Sequence, residues 1–272
     1  MKILISVDIE GVAGVFNIEQ TRAGNPEYER ARRLMTAEAN AVIEGALAGG
    51  ASEIVVNDSH GGFRNLLPDL LHPAASQILG KPRLLGMMSG VDSGVDGVMM
   101  VGYHGRAQSR GILAHTINGF SFARIWLNDQ ELGEAGIYGA LAGEFGVPVI
   151  FGSGDDVFVA ENQPLFPQAT LVSVKTADGA ASGTSLSPQS ALALLGEGAK
   201  VAVSKLADCR PFVLQPAITC RLQTTNPALA DLFCLLPIVE RVDGVNLTFS
   251  APSVQYAVRV LNSMSAMSFM LR

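Results

Sequence analysis

Ile3-Leu4-Ile5-Ser6-Val7-Asp8-Ile9-Glu10 is an aliphatic run that stops on two carboxylates. Two further stretches have the same form. Glu53-Ile54-Val55-Val56-Asn57-Asp58 leads to His60, and Val98-Met99-Met100-Val101-Gly102-Tyr103 leads to His104. Short β-branched and aliphatic runs bounded by Gly and polar residues read as buried strands of a parallel sheet. Ligands of open α/β sheets bind in the crevice beyond the carboxyl ends of such strands. Two carboxylates and two imidazoles delivered to one edge therefore predict an α/β fold with a metal site in that crevice.

The neighbouring segments fit this frame. Pro26 opens a helix over residues 27–49 with Leu34, Ala37, Ala41, Ala46 and Leu47 on its apolar face, and Gly49-Gly50 ends it. Residues 2–58 then form a right-handed βαβ unit with parallel strands. Leu66, Leu67, Leu70 and Leu71 suggest a short helix, and Ile78 with Leu84-Leu85 a further strand. Residues 123–127 and 130–132 read as a hairpin about Asn128-Asp129. A helix follows from Gly133 to about Phe145, then strands at 147–152 and 169–175 and a helix at 188–206. Beyond 207 the expected elements are a strand at 212–223, a helix at 227–236, a strand at 239–250 and an amphipathic helix at 253–267. The expectation is a three-layer, mainly parallel α/β domain over 1–206 and a smaller two-layer α+β domain over 207–272.

Composition narrows the function. The chain has 272 residues, 48% hydrophobic and 16% charged, with nine Met, a lean surface that hints at cover by other subunits. A net charge of −6, with no Lys/Arg cluster, argues against nucleic acid as a partner. No apolar stretch reaches membrane-spanning length, and the first run is too short for a signal-peptide core. Cys209, Cys220 and Cys234 lack zinc-type spacing and read as reduced thiols of a cytoplasmic protein.

The ligand candidates differ in specificity. Asp8 and Glu10 are two residues apart, so an extended backbone points both side chains the same way; the bland alternative is an acidic turn after a strand. His60 and His104 each sit beside Gly at a strand terminus, and the pair is more telling than either alone. Imidazole with carboxylate oxygen suits zinc, and the residues read as a zinc hydrolase. His115, in a Gly-rich connection after His104, could be a ligand, a general base or an oxyanion partner. Glu134 in the first turn of a helix could be a ligand, but the helix dipole alone favours an acid there. Asp155 and Asp156 could orient the His ligands. His72 is assigned no role.

Ser6-Val7-Asp8-Ile9-Glu10-Gly11, Asn57-Asp58-Ser59-His60 and Gly102-Tyr103-His104 resemble the DppA-type zinc D-aminopeptidases of the bacterial dipeptide-transport family. The resemblance also covers Glu29-Arg30, Met35-Thr36-Ala37-Glu38-Ala39-Asn40, Leu71-His72-Pro73, Asn128-Asp129, Gly133-Glu134, Gly154-Asp155-Asp156 and Leu186-Ser187-Pro188. It implies a binuclear zinc site on Asp8, Glu10, His60, His104 and Glu134, with Asp8 bridging two Zn2+ per subunit and His115 catalytic. It further implies a homodecamer that encloses a channel and cleaves short peptides with an N-terminal D-amino acid, of D-Ala type. Residues 175–182 lack an Arg associated with relatives in this region, which bears on substrate choice rather than on the metal chemistry.

Three other readings compete. A metal-dependent amidase or phosphoesterase could use the same ligands, although phosphate calls for cationic clamps and only Arg106 and Arg110 are near. A peptide or metal carrier would not need this many ligands and a spare His. A structural zinc site is usually closed and rich in Cys, which this cluster is not.

Overall fold

Asn25 begins the first helix: its side chain accepts from Tyr28 N, Pro26 takes the first helical position, and Glu27 and Glu29 sit in the positive first turn. Ser187-Pro188 and Asn226-Pro227 start later helices in the same way. The computed structural model describes residues 1–272. In chain order it contains β1 (Lys2–Val7), α1 (Pro26–Ala48), β2 (Glu53–Asp58), β3 (Ala75–Ile78), β4 (Gly97–Val101), β5 (Phe122–Leu127) and β6 (Gln130–Glu131). Next come α2 (Glu134–Glu144), β7 (Val149–Asp155), α3 (Asp156–Asn162), β8 (Thr170–Gly179), β9 (Ser182–Ser185) and α4 (Pro188–Ser204). The chain ends with β10 (Ile218–Thr224), α5 (Pro227–Phe233), β11 (Glu240–Arg241), β12 (Asn246–Ala251) and α6 (Val254–Met267).

The main sheet has seven strands in the order β3-β2-β1-β4-β7-β8-β9, parallel except for the β8–β9 pair. Its strands alternate between two cores. Ile3, Ile5, Val7, Met99 and Val101 face α1 and α4, while Leu4, Val98 and Met100 face α2 and α6. Apolar residues on both faces explain why these strands read as continuous runs rather than alternating ones. The α/β class and the mainly parallel sheet match the sequence expectation.

The second sheet has the order β11-β12-β10-β5-β6 and is antiparallel. β10 alternates buried and exposed residues, the pattern of a strand with one face covered. This sheet crosses the expected division at 206/207. Cys220 pairs with Leu127 and Leu222 with Ile125, so the hairpin β5–β6 belongs to the same sheet as the C-terminal strands.

Several local expectations change. Residues 66–71 form turns rather than a helix; of the further strand expected about Ile78 and Leu84-Leu85, β3 ends at Ile78 and Leu84-Leu85 lies in a turn. The expected strand at 212–223 pairs only from Ile218. Upstream, Phe212 lies against Gly143 of α2, where an added Cβ would fall 1.9 Å from the Phe212 carbonyl oxygen. The expected strand at 239–250 is divided by a turn into β11 and β12. α3 and β9 were not anticipated.

Candidate metal centre

The carboxyl ends of β1, β2 and β4 lie side by side, with Val7 opposite Asp58 and Val101. Residues following these strands must share a small volume, and two glycines make this possible. A Cβ on Gly11 would fall 1.8 Å from the Tyr103 carbonyl oxygen, and one on Gly102, whose φ is +69°, would fall 2.3 Å from that of Asp8. The segments are joined by Asp8 N donating to Val101 O (2.8 Å) and Gly11 N donating to Gly102 O (2.7 Å).

Asp8, Glu10, His60, His104, His115 and Glu134 converge there. His60 Nδ1 lies 3.2 Å from Asp8 Oδ1 and 3.0 Å from Glu10 Oε2. His104 Nε2 lies 3.5 Å from Asp8 Oδ2 and 3.6 Å from Glu134 Oε1, and His115 Nε2 is 3.5 Å from the same Glu134 oxygen. The rings of His104 and His115 stack at 4.2 Å with 12° between their planes. Asp8 thus touches both halves of the cluster, one with Glu10 and His60 and the other with His104 and Glu134. Glu134 opens α2, and its Oε1 accepts from Ile117 N (2.6 Å), which joins the helix to the loop bearing His115.

The orientation of the imidazoles is informative. His60 Nε2 donates to Thr21 O (2.8 Å), His104 Nδ1 to Gly105 O (2.9 Å) and His115 Nδ1 to Leu113 O (3.0 Å). In each ring one nitrogen is committed to the backbone and the other faces the carboxylates. Metal-ligating histidines are held in this way. His115 is flanked by Leu113 (φ 55°) and Ile117 (φ 61°), left-handed positions that are rare for bulky or β-branched residues. Such strain clusters at functional sites.

Charge makes the cluster unusual. Asp8, Glu10 and Glu134 are buried, and no Lys or Arg pairs with any of them. Burial would raise the Asp8 carboxyl, but hydrogen bonds to His104 and His60 outweigh it and hold the group well below the usual carboxylate range. Burial likewise raises Glu134, against the pull of His104 and His115. For His104, burial opposes protonation, yet Glu134 and Asp8 push its pKa up to about 10; Glu10 and Asp8 raise His60 well above the ordinary imidazole value.

The donor set fits a metal. Glu10 Oε2 and His104 Nε2 are buried without a well-aligned hydrogen bond, and both point into the cluster. Unsatisfied buried polar atoms are costly, and cations remove that cost. Asp8, Glu10 and His104 offer ligand atoms close enough to share an ion, and so do His104, His115 and Glu134. On geometry alone His115 remains either a ligand or a free base.

Other candidates fall outside. Asp155 touches no His ring: Oδ2 accepts from Ile112 N (2.7 Å) and Oδ1 from Phe158 N (2.8 Å), so it ties the His115 loop to the start of α3. Asp156 accepts from Ala177 N, and His72 Nδ1 from Ala74 N. Sequence reasoning did not find Ser6, whose Oγ lies 2.6 Å from Ser59 Oγ and 2.7 Å from Tyr103 OH and so links all three ligand-bearing strand ends. It also missed Lys175 and Glu38, which are buried around the Glu10 loop.

Comparison with known proteins identifies the family. The D-aminopeptidase family model (peptidase M55) matches residues 1–263. The D-aminopeptidase of Bacillus subtilis (strain 168) is 32% identical over 271 residues, covering 99% of this chain and 96% of that protein. The solved structure of the Zn-dependent D-aminopeptidase DppA from Bacillus subtilis, described as a self-compartmentalizing protease, is similar with a TM-score of 0.96 and 31% identity. That match covers 99% of this chain and 98% of the other. A match over nearly the whole chain, on a fold that gathers these side chains at one sheet edge, places the protein in the D-aminopeptidase family M55.

Proposed function

We propose that this chain is a zinc-dependent aminopeptidase that removes an N-terminal D-amino acid, of D-Ala type, from short peptides. Asp8, Glu10, His60, His104 and Glu134 would hold two Zn2+ per subunit, Asp8 being the residue in reach of both groups of ligands. The observation that carries this reading is the convergence of three buried carboxylates, none paired with Lys or Arg, with imidazoles that each turn one ring nitrogen toward them. Zinc bound there supplies Lewis acidity, which brings the pKa of a water to about 7 and polarises a carbonyl.

The chain's own groups do the rest. Asp8 presents Oδ1 toward the Glu10/His60 side and Oδ2 toward the His104/Glu134 side, the arrangement a shared ligand requires. His115 is the least buried of the three clustered imidazoles, and its Nδ1 is fixed on Leu113 O, so Nε2 is free to carry a proton to the leaving amine. Stacking on His104 holds that ring at the edge of the cluster. The phosphoesterase alternative is weaker, because Arg106 is already engaged by Glu161 at 2.5 Å and by Glu131 at 3.5 Å.

The homodecamer enclosing a channel is part of the same reading, supported by the self-compartmentalizing relative and by exposed apolar residues such as Leu235, Val242 and Met270. Three free cysteines are in keeping with a cytoplasmic setting. No helix is long and apolar enough to cross a membrane.

The test is hydrolysis of D-Ala-D-Ala and L-Ala-L-Ala side by side, by zinc-loaded and chelator-treated protein. Zinc-dependent cleavage of the D-peptide alone is expected. Cleavage of the L-peptide alone would overturn the specificity, and cleavage of neither would overturn the peptidase assignment.

A further inference from the structure

Lys175 lies in β8, two strands from β4 in the sheet order, and is only 4% exposed. Its ammonium makes no ion pair. Nζ donates instead to three backbone carbonyls of one loop: Glu10 O at 2.5 Å, Val12 O at 3.2 Å and Val15 O. That loop follows β1 and carries Glu10. Its amides are held from other directions, Ala13 N by Glu38 Oε1 of α1 (2.8 Å) and Gly14 N by Ser185 Oγ of β9 (2.8 Å).

Carbonyl oxygens turned toward one point repel each other unless a cation sits among them. Here the cation is built into the chain. A charge-assisted bond to a carbonyl is stronger than a neutral one, and burial strengthens it further. Because Nζ binds the Glu10 carbonyl rather than its carboxylate, the Glu10 side chain is left free of the ammonium, with Oε2 turned to His60. A lysine on the carboxylate itself would compete with a metal; a lysine on the carbonyl orients the ligand and leaves its charge available.

We propose that Lys175 is a positioning residue for the metal centre, an internal ammonium that shapes the 10–15 loop and aims Glu10 at the metal. This rests on the zinc reading above. Residues that orient metal ligands typically contribute about 10–100-fold in metal affinity.

The experiment is Zn2+ affinity, by competition with a chromophoric chelator, for metal-stripped wild type, Lys175→Met and Lys175→Gln, with melting temperature measured in parallel. Lys175→Met removes every donor; Lys175→Gln keeps two N–H groups but loses charge and reach. Affinity reduced by about 10-fold or more in Lys175→Met, with partial recovery in Lys175→Gln, is the expected result. Wild-type affinity in both variants, whatever the change in melting temperature, overturns the proposal and leaves the lysine a packing role. If Lys175→Met does not fold, Lys175→Gln decides by the same criterion; failure of both to fold assigns the lysine to folding and also overturns the proposal. A wild type that binds no Zn2+ would instead overturn the metal reading itself.

Discussion

His115→Ala separates the two roles that geometry allows His115. As a proton carrier it should leave the zinc content unchanged while kcat falls about a hundredfold or more; loss of one zinc, measured by elemental analysis, would make it a ligand. Glu38 sets a different kind of test. Burial pushes its carboxyl pKa up to about 7, against the opposing pull of the Ala13 amide and Lys175. A folded-state pKa above the unfolded one means the native protein binds the extra proton, so stability falls as pH rises from about 4.5 to 7. At about 1.4 kcal/mol per unit of displacement the loss is about 3 kcal/mol. Glu38→Gln should flatten that slope, as read by denaturant unfolding at several pH values. Asp8, Glu10, His60 and His104 were legible because each ends an apolar run, where a polar group has no reason to be buried except function. Glu134 was less so, since a ligand and a helix-dipole acid look alike in sequence. Lys175 was not legible at all: a lysine in a strand does not declare which carbonyls its long side chain will reach.

Strand ends deliver the ligands, and their approach is limited by two backbone contacts. Gly11→Ala and Gly102→Ala should each cost about 3 kcal/mol or more, because the Cβ would meet backbone rather than a yielding side chain. Thermal unfolding of the metal-free variants measures this; a change below 1 kcal/mol, on the order of an ordinary surface substitution, would show that the segments can separate. The central strands were legible because both faces are apolar, and the proline-started helices because their caps are local. The tail was harder. Pro211 and Pro216 cannot donate to a ladder, and the backbone at Phe212 is claimed by α2, so an apolar stretch that reads as strand does not pair until Ile218.

Across the molecule, the cluster gathers three buried carboxylates, and without metal their pull retains protons on His60 and His104. Zinc must displace them, so binding should release protons and weaken as pH falls. Calorimetric titration in buffers of different ionisation enthalpy would detect that release; a binding heat independent of the buffer would contradict it. The crossing sheet has a consequence of another kind. β10 sits between β12 and β5, which reach it from opposite directions along the chain. A chain cut near residue 206 would leave β5 as a bare edge with an apolar face, the form that invites aggregation. The remainder would lose the strand that closes its own sheet. The two pieces are therefore natural partners for fragment complementation, each insoluble or unfolded alone and rescued by the other through the β5–β10 seam and the packing of α6 on α2.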